Sequence, residues 1–315
     1  MRIIPLVLPT PYPVGPVNAY LLPGPPITLV DCGPKSSDAQ AALEAGLRTA
    51  GVGVADIRRL IITHGHVDHF GLAATVVAAS GAEVCAHPLE VPKMTADRAF
   101  VEPLRTVIAE AGYAPAIGET VIDAFRSFRR QIDTVRPTRL VNDGDRLDID
   151  GGTLEVLHTP GHGQGHICLR WDDALIAGDL LLEEISPNPV IEFDTEGRRL
   201  RMLPAYLRSL RRVAALAPAI AYPGHGEPIT TPVARVHEIV DHHEARKNRL
   251  AEMLARRSWT LREIAETWYP NLDLFELFLV LSEVIGHLDL LEDEGRVVIE
   301  GRDGVLHYAV VASQA

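Results

Sequence analysis

Cysteine is scarce in this chain: Cys32, Cys85 and Cys168 are the only three among 315 residues. Each sits in an apolar, strand-like run, so buried free thiols are expected rather than disulfides, and a reducing cytoplasm suits them. Long apolar runs are missing too. No stretch reaches the roughly 20 apolar residues that cross a bilayer, which argues against membrane insertion. The opening MRIIPLVLPTPYPVG has no continuous apolar segment or small-residue cleavage site, and its prolines break any helix, so no signal peptide is expected. Positive charge is the third shortage. Lys and Arg number 30 against 42 Asp and Glu, a net charge of −12, which argues against a general nucleic-acid binder.

The length is too great for a typical single core, so two domains are expected, and 47% hydrophobic residues describe a globular chain. The most informative stretch is LIITHGHVDHFGL, Leu60 to Leu72. Leu60 to Thr63 is an apolar, β-branched run that predicts a buried strand. His64, His66, Asp68 and His69 follow in the pattern H-x-H-x-D-H. Phe70 to Ser80 then predicts a helix that stops at Gly81. Imidazole nitrogen beside carboxylate oxygen suits zinc, iron or manganese. Taken alone, the motif also fits a loop that merely happens to be rich in histidine.

Distant partners decide between these readings. His162 lies in HTPGHGQGH, Asp179 in LIAGDLL and His225 in AYPGHGEP. Each follows a strand-like run and stands beside glycine. Seven ligand-type residues at strand ends are what a two-metal site requires. With VDCG, THGHVDH, TPGH, GD and PGHG in that order, the first three quarters of the chain resemble the metallo-β-lactamase superfamily of hydrolases. The resemblance implies an α/β fold: an αββα metallo-β-lactamase sandwich with a helical insertion and a small C-terminal winged-helix-like domain.

It also implies two divalent metal ions, zinc first, with iron or manganese as alternatives. One would take His64, His66 and His162; the other would take Asp68, His69 and His225. Asp179 would bridge them, as in the glyoxalase-II-like branch, leaving Asp68 and Asp179 as the candidate catalytic carboxylates. The ligand follows T-P-G in the family, so His162 rather than His158 takes that role. Asp31, after the strand Ile27 to Val30, would support the site by hydrogen bonding; an ordinary turn aspartate is the other reading. His87 is read as structural, His166 as orienting its loop or capping the next strand, and His242 and His243 as packing or surface groups. True β-lactamases of the superfamily generally lack the bridging aspartate, so Asp179 argues against that activity.

The catalytic domain is expected over residues 1–235, with the helical insertion at about 88–139. Superfamily members often place such insertions over the cleft. Phe100, Phe125 and Phe128, with the loop Ser186 to Pro189, would then wall the pocket, although each aromatic, Tyr113 included, is individually better read as packing. Arg126, Arg129 and Arg130 could hold phosphates. Arg198, Arg199, Arg201, Arg208, Arg211 and Arg212 form a basic run, read as a solvated face before an anion-binding one.

Residues 236–315 predict three helices and a β-hairpin, a winged-helix order. The third helix would have to meet phosphate, yet no Lys or Arg lies between Arg262 and Arg296. DNA binding is therefore not expected, and packing, homo-oligomer formation or shaping of the site is. The expected activity is hydrolysis of a small thioester or ester, of acyl-CoA or acyl-glutathione type. A single-strand endoribonuclease using the arginine run is the alternative; a lactonase or a ligand-binding regulator with a vestigial site follows. The lactonase reading lacks the tyrosine that many such enzymes carry shortly after the position of Asp179.

Overall fold

A computed structural model describes residues 2–95, 102–129, 132–270 and 272–311, with backbone alone at 128, 129, 274 and 275. The strands are β1 Ile4–Leu8, β2 Val17–Leu22, β3 Thr28–Val30, β4 Arg59–Ile61, β5 Glu83–Ala86, β6 Arg139–Leu140, β7 Arg146–Ile149, β8 Gly152–His158, β9 Ile167–Trp171, β10 Ala174–Gly178, β11 Ile220–Pro223, β12 Trp259–Thr260, β13 Val297–Arg302 and β14 Val305–Val310. The helices are α1 Ser37–Thr49, α2 Val67–Phe70, α3 Ala73–Ser80, α4 Val91–Met94, α5 Leu104–Glu110, α6 Pro115–Arg129, α7 Met202–Ala215, α8 Pro232–Leu254, α9 Leu261–Trp268 and α10 Leu274–Asp293. The chain divides into two compact units. One comprises Met1–Asp97, Arg130–Pro187 and Ser209–Val236; the other comprises Arg98–Arg129, Asn188–Arg208 and His237–Ala315.

The first unit holds two sheets, ordered β1-β2-β3-β4-β5-β6 and β11-β10-β9-β8-β7. Strands β3 to β6 run parallel, as do β10 and β11. Parallel strands need both faces covered, and their residues read as continuous apolar runs. One face of the first sheet packs Leu29 and Leu60 with Leu43 and Leu47 of α1 and Val76 of α3. Its other face packs Tyr20, Val30, Ile61 and Cys85 against Leu154, Val156, Leu169 and Ile176 of the second sheet. All three cysteines are free and buried.

The helix expected over Phe70 to Ser80 is two helices. Val67 to Phe70 makes a separate turn, and the second helix begins only at Ala73. The break has a packing cause. A Cβ on Gly71 would lie 2.4 Å from the Lys35 nitrogen, so the chain is pressed against the loop after β3 there. Leu72 N–H accordingly donates to the Gly33 carbonyl, 3.1 Å away. Asp68 and His69 thus ride on a short turn of their own.

In the second unit, the described residues from His237 onward follow the expected order of helices and hairpin, and β12 adds a strand beside β14. Thr260 caps α9 in a reciprocal pair with Glu263, and Asp273 does the same for α10 with Glu276. The core of this unit is wider than the C-terminal stretch. Leu104, Val107, Ile108 and Val121 of the insertion, with Ile191 and Phe193, pack among Leu250, Leu281 and Leu288. Phe125 meets Phe278 edge-on at 4.9 Å, and Tyr113 packs on the same core. Phe100 and Arg130 lie outside the described residues, as do the side chains of Phe128 and Arg129. Among the described residues no helix is long and apolar enough to cross a membrane.

Candidate metal centre

All seven side chains grouped in the sequence meet at the strand ends of the first unit. His64, His66, Asp68 and His69 follow β4, while His162, Asp179 and His225 follow β8, β10 and β11. Donor atoms of His64, His66 and His162 converge within 4.8 Å, as do those of Asp68, His69 and His225, and those of His64, His69 and Asp179. Asp179 lies between the groups. Its Oδ1 is 3.3 Å from His69 Nε2, and its Oδ2 is 3.5 Å from His162 Nε2 and 3.6 Å from His225 Nε2. His225 Nε2 is also 3.5 Å from Asp68 Oδ2, and His64 Nε2 is 3.0 Å from His66 Nδ1.

The surroundings fix which nitrogen of each ring faces inward. Asp31 carries a left-handed backbone, φ 56°, at the turn after β3. Its Oδ1 accepts the Thr63 backbone N–H, and its Oδ2 accepts both the Thr63 hydroxyl and His69 Nδ1–H, each at 2.8 Å. That leaves Thr63 Oγ1 to accept His64 Nδ1–H at 3.0 Å. His225 Nδ1–H donates to the Pro16 carbonyl at 2.8 Å. Three imidazoles therefore turn Nε2 lone pairs toward one another, the arrangement in which outer hydrogen bonds orient metal-binding histidines. His69 Nε2, His225 Nε2 and Asp179 Oδ1 are buried with no hydrogen-bond partner among the described residues. Buried polar atoms without partners are costly, so a group that satisfies them together fits the site.

Electrostatics agree with the donor set. Burial, then neighbouring imidazoles, hold His64 and His66 well below the ordinary histidine value, so both are neutral. Burial opposes ionised Asp179, but His69 and His225 overcome it and keep the carboxyl well below its usual range. Burial likewise opposes charged His69, while Asp179, Asp31 and Asp68 together raise it well above normal.

Several contributors carry no sequence motif. Asn18 Nδ2–H donates to the Pro223 and Gly226 carbonyls at 3.1 and 2.8 Å, and Tyr20 donates to Pro223 at 2.5 Å, fixing the His225 turn. Tyr12 senses the centre: burial, then the Asp68 charge, pushes its phenol up to about 12. His166 reaches beyond its own loop. Its Nε2 accepts the Asp179 backbone N–H at 3.1 Å, and its Nδ1–H donates to Thr159 Oγ1 at 2.9 Å. His158 Nε2–H donates instead to the Gln164 carbonyl, and its ring stacks on His87 at 4.1 Å.

A second group, His243, Glu283 and His287, is buried in the other unit. Arg246 holds the Glu283 carboxylate at 2.9 Å, His287 Nδ1–H donates to the Glu283 carbonyl at 2.7 Å, and His287 Nε2 lies 3.2 Å from His243 Nδ1. This group satisfies itself as an interior network between α8 and α10.

Comparison with known proteins shows the family. The chain is 34% identical over 300 residues to a probable metallo-hydrolase of Bacillus subtilis (strain 168), covering 93% of this chain and 92% of that protein. A metallo-beta-lactamase family protein of Thermus thermophilus superposes with a TM-score of 0.83 at 30% identity, over 98% of both chains. A shorter match, 30% identical over 110 residues, joins 34% of this chain to 31% of an atrochrysone carboxyl ACP thioesterase of Aspergillus fumigatus. Residues 12–225 match the model of the metallo-beta-lactamase superfamily, and the chain belongs to that superfamily.

Proposed function

We propose that this protein is a dinuclear metal-dependent hydrolase of small thioesters or esters, of acyl-CoA or acyl-glutathione type. The carrying observation is the convergence of His64, His66 and His162, of Asp68, His69 and His225, and of Asp179 between them. Nitrogen and oxygen donors of this kind suit zinc, iron or manganese. Two divalent ions bound there would lower the pKa of a water molecule and polarise a substrate carbonyl. The chain's own part is to hold the geometry. Asp31 and the Pro16 carbonyl aim His69 and His225, while His166 fixes the Asp179 backbone. A thiolate leaves readily, so the site needs no strong general acid to expel it. The thioesterase among the partial matches acts on this bond class and supports the reading.

The arginine run supports it from the other side. Single-stranded RNA needs continuous unspent positive charge. Here Arg198 pairs with Asp194 and Glu196, Arg199 with Asp289, Arg201 with Glu292 and Asp293, and Arg212 with Asp143. In the insertion, Arg126 is taken by Glu102 and Asp123. Four of the six arginines of the run are thus paired, and Arg208 and Arg211 are exposed with no ion pair among the described residues, two separate charges rather than a continuous track.

The test is a substrate panel on metal-loaded protein: acyl-CoA esters of several lengths, acyl-glutathione, a homoserine lactone, a chromogenic cephalosporin and single-stranded RNA. Thioester turnover that disappears in Asp179→Asn is the expected result. RNA cleavage sensitive to Asp179→Asn, with every thioester untouched, would replace this reading by the endoribonuclease.

A further inference from the structure

We infer that Glu90 is a positioning residue that clamps together the two loops supplying His64, His66 and His162; the inference rests on reading those three as one ligand set. Glu90 is 0% exposed and Lys93 3% exposed, in the segment after β5. Glu90 Oε2 accepts the backbone N–H of Gly65, between His64 and His66, at 2.8 Å. Its Oε1 accepts the backbone N–H of Gly165, three residues after His162, at 2.7 Å. A single carboxylate thus ties two loops that lie a hundred residues apart in sequence. Lys93 Nζ is 2.9 Å from Oε2 and donates to Oε1 at 3.2 Å, neutralising the buried charge. His87 caps the turn Pro88–Glu90, accepting Leu89 N–H at its Nδ1, and so presents Glu90.

The glycines of both loops belong to the same device. A Cβ on Gly65 would lie 2.8 Å from Glu90 Oε2 and from Lys93 Cβ. On Gly163 it would lie 3.1 Å from Glu90 Oε1, and on Gly165 2.9 Å from Glu90 Cγ. Glycine is needed at these loop positions so that the backbone can reach the carboxylate. Glu90 spends its two oxygens on Gly65, Gly165 and Lys93, and His69 of the other set is held instead by Asp31. The clamp therefore acts on one ligand set and leaves the other to different supports.

The experiment measures zinc affinity by competition with a chromophoric chelator, on the full-length chain. An Asp68→Asn background isolates the ion of the His64, His66 and His162 set; a His66→Ala background isolates the other. Glu90→Gln combined with Lys93→Met removes both charges and turns an amide N–H toward one loop. It is expected to weaken the first ion by about 10- to 100-fold, the usual effect of losing an outer hydrogen bond, and to leave the second within about twofold of its starting affinity. Equal weakening of both ions, or of neither, overturns the clamp. If the two backgrounds without the Glu90 change hold as many ions as the unaltered chain, the ligand assignment itself is wrong. Should the double variant not fold, amide exchange on the unaltered metal-free protein decides: slow exchange at Gly65 and Gly165 is expected, and fast exchange at either overturns the clamp.

Discussion

Gly224→Ala is a one-methyl perturbation aimed at the centre of the site. The new Cβ would lie 2.0 Å from Asp179 Oδ1 and 2.8 Å from His69 Cε1. Comfortable contact between such atoms begins near about 3.5 Å, so the two must part by more than 1 Å, roughly. The Gly224 backbone has little freedom to retreat. Its N–H donates to the Gly178 carbonyl and its carbonyl accepts Asn18 N–H, both at 2.7 Å. Asn18 Nδ2–H also donates to the carbonyls of Pro223 and Gly226, on either side. The Asp179 carboxylate therefore has to move.

Overpacking of this kind costs about 1–3 kcal/mol, and at roughly 2–4 °C per kcal/mol Tm should fall by several degrees. Misplacing a catalytic group by about 1 Å costs on the order of 10²-fold in turnover. Metal analysis should show fewer than two ions per chain. Gly301→Ala is the control, because a Cβ there meets nothing within 4 Å. A double variant separates strain from loss of function: adding Asp179→Ala removes the clashing oxygen and should recover part of the lost Tm while restoring no turnover. Two ions and turnover within twofold of the starting protein in Gly224→Ala would refute the argument.

Three further outcomes test other parts of the molecule. Elemental analysis should find two divalent ions per chain, with one retained in Asp68→Ala and one in His64→Ala; full retention in both variants would show the ligand division wrong. In the second unit, burial first and neighbouring charge second lower His243 to about 3, and burial lowers His287 to about 4. The unfolded chain takes up protons near pH 6.5 that these buried rings refuse, so stability should fall as pH drops from about 6.5 to 4, by at most about 1.4 kcal/mol per pH unit for each ring. Urea unfolding of a Trp171→Phe chain, whose remaining Trp259 and Trp268 report on that unit, checks this; an unchanged midpoint at pH 4.5 would contradict it. Arg199 holds Asp289, which is 3% exposed, through two 2.7 Å bonds, so Arg199→Met should cost about 3–5 kcal/mol. Adding Asp289→Leu should recover most of that loss, and a lone Arg199→Met with unchanged Tm would refute the pairing argument.

What the sequence revealed and what it hid divide along one physical line. Side chains that do chemistry leave a local signature, because a strand must end and glycine must turn the chain to aim them. For that reason His64 to His69, His162, Asp179 and His225 could be grouped from their flanking residues, and they do lie together in space. Supports leave no such signature. The Pro16 carbonyl that orients His225 could belong to any residue type, and Glu90 sits in an ordinary-looking PLE turn. The two N–H groups that Glu90 accepts come from glycines whose need for a close neighbour is written in the sequence without saying which neighbour. The same limit explains the broken helix at Gly71, where the run up to Gly81 reads as one helix and the Lys35 contact is invisible. It also applies to α5 and α6: an apolar stripe says that a helix must be covered, while Leu250, Leu281 and Leu288 as the cover emerge only from the fold. Glycine patterns beside a metal motif therefore merit reading twice, once as turns and once as imprints of a buried group pressed against the backbone. In this chain the second reading leads from HGH and GHGQGH to a carboxylate that neither motif contains.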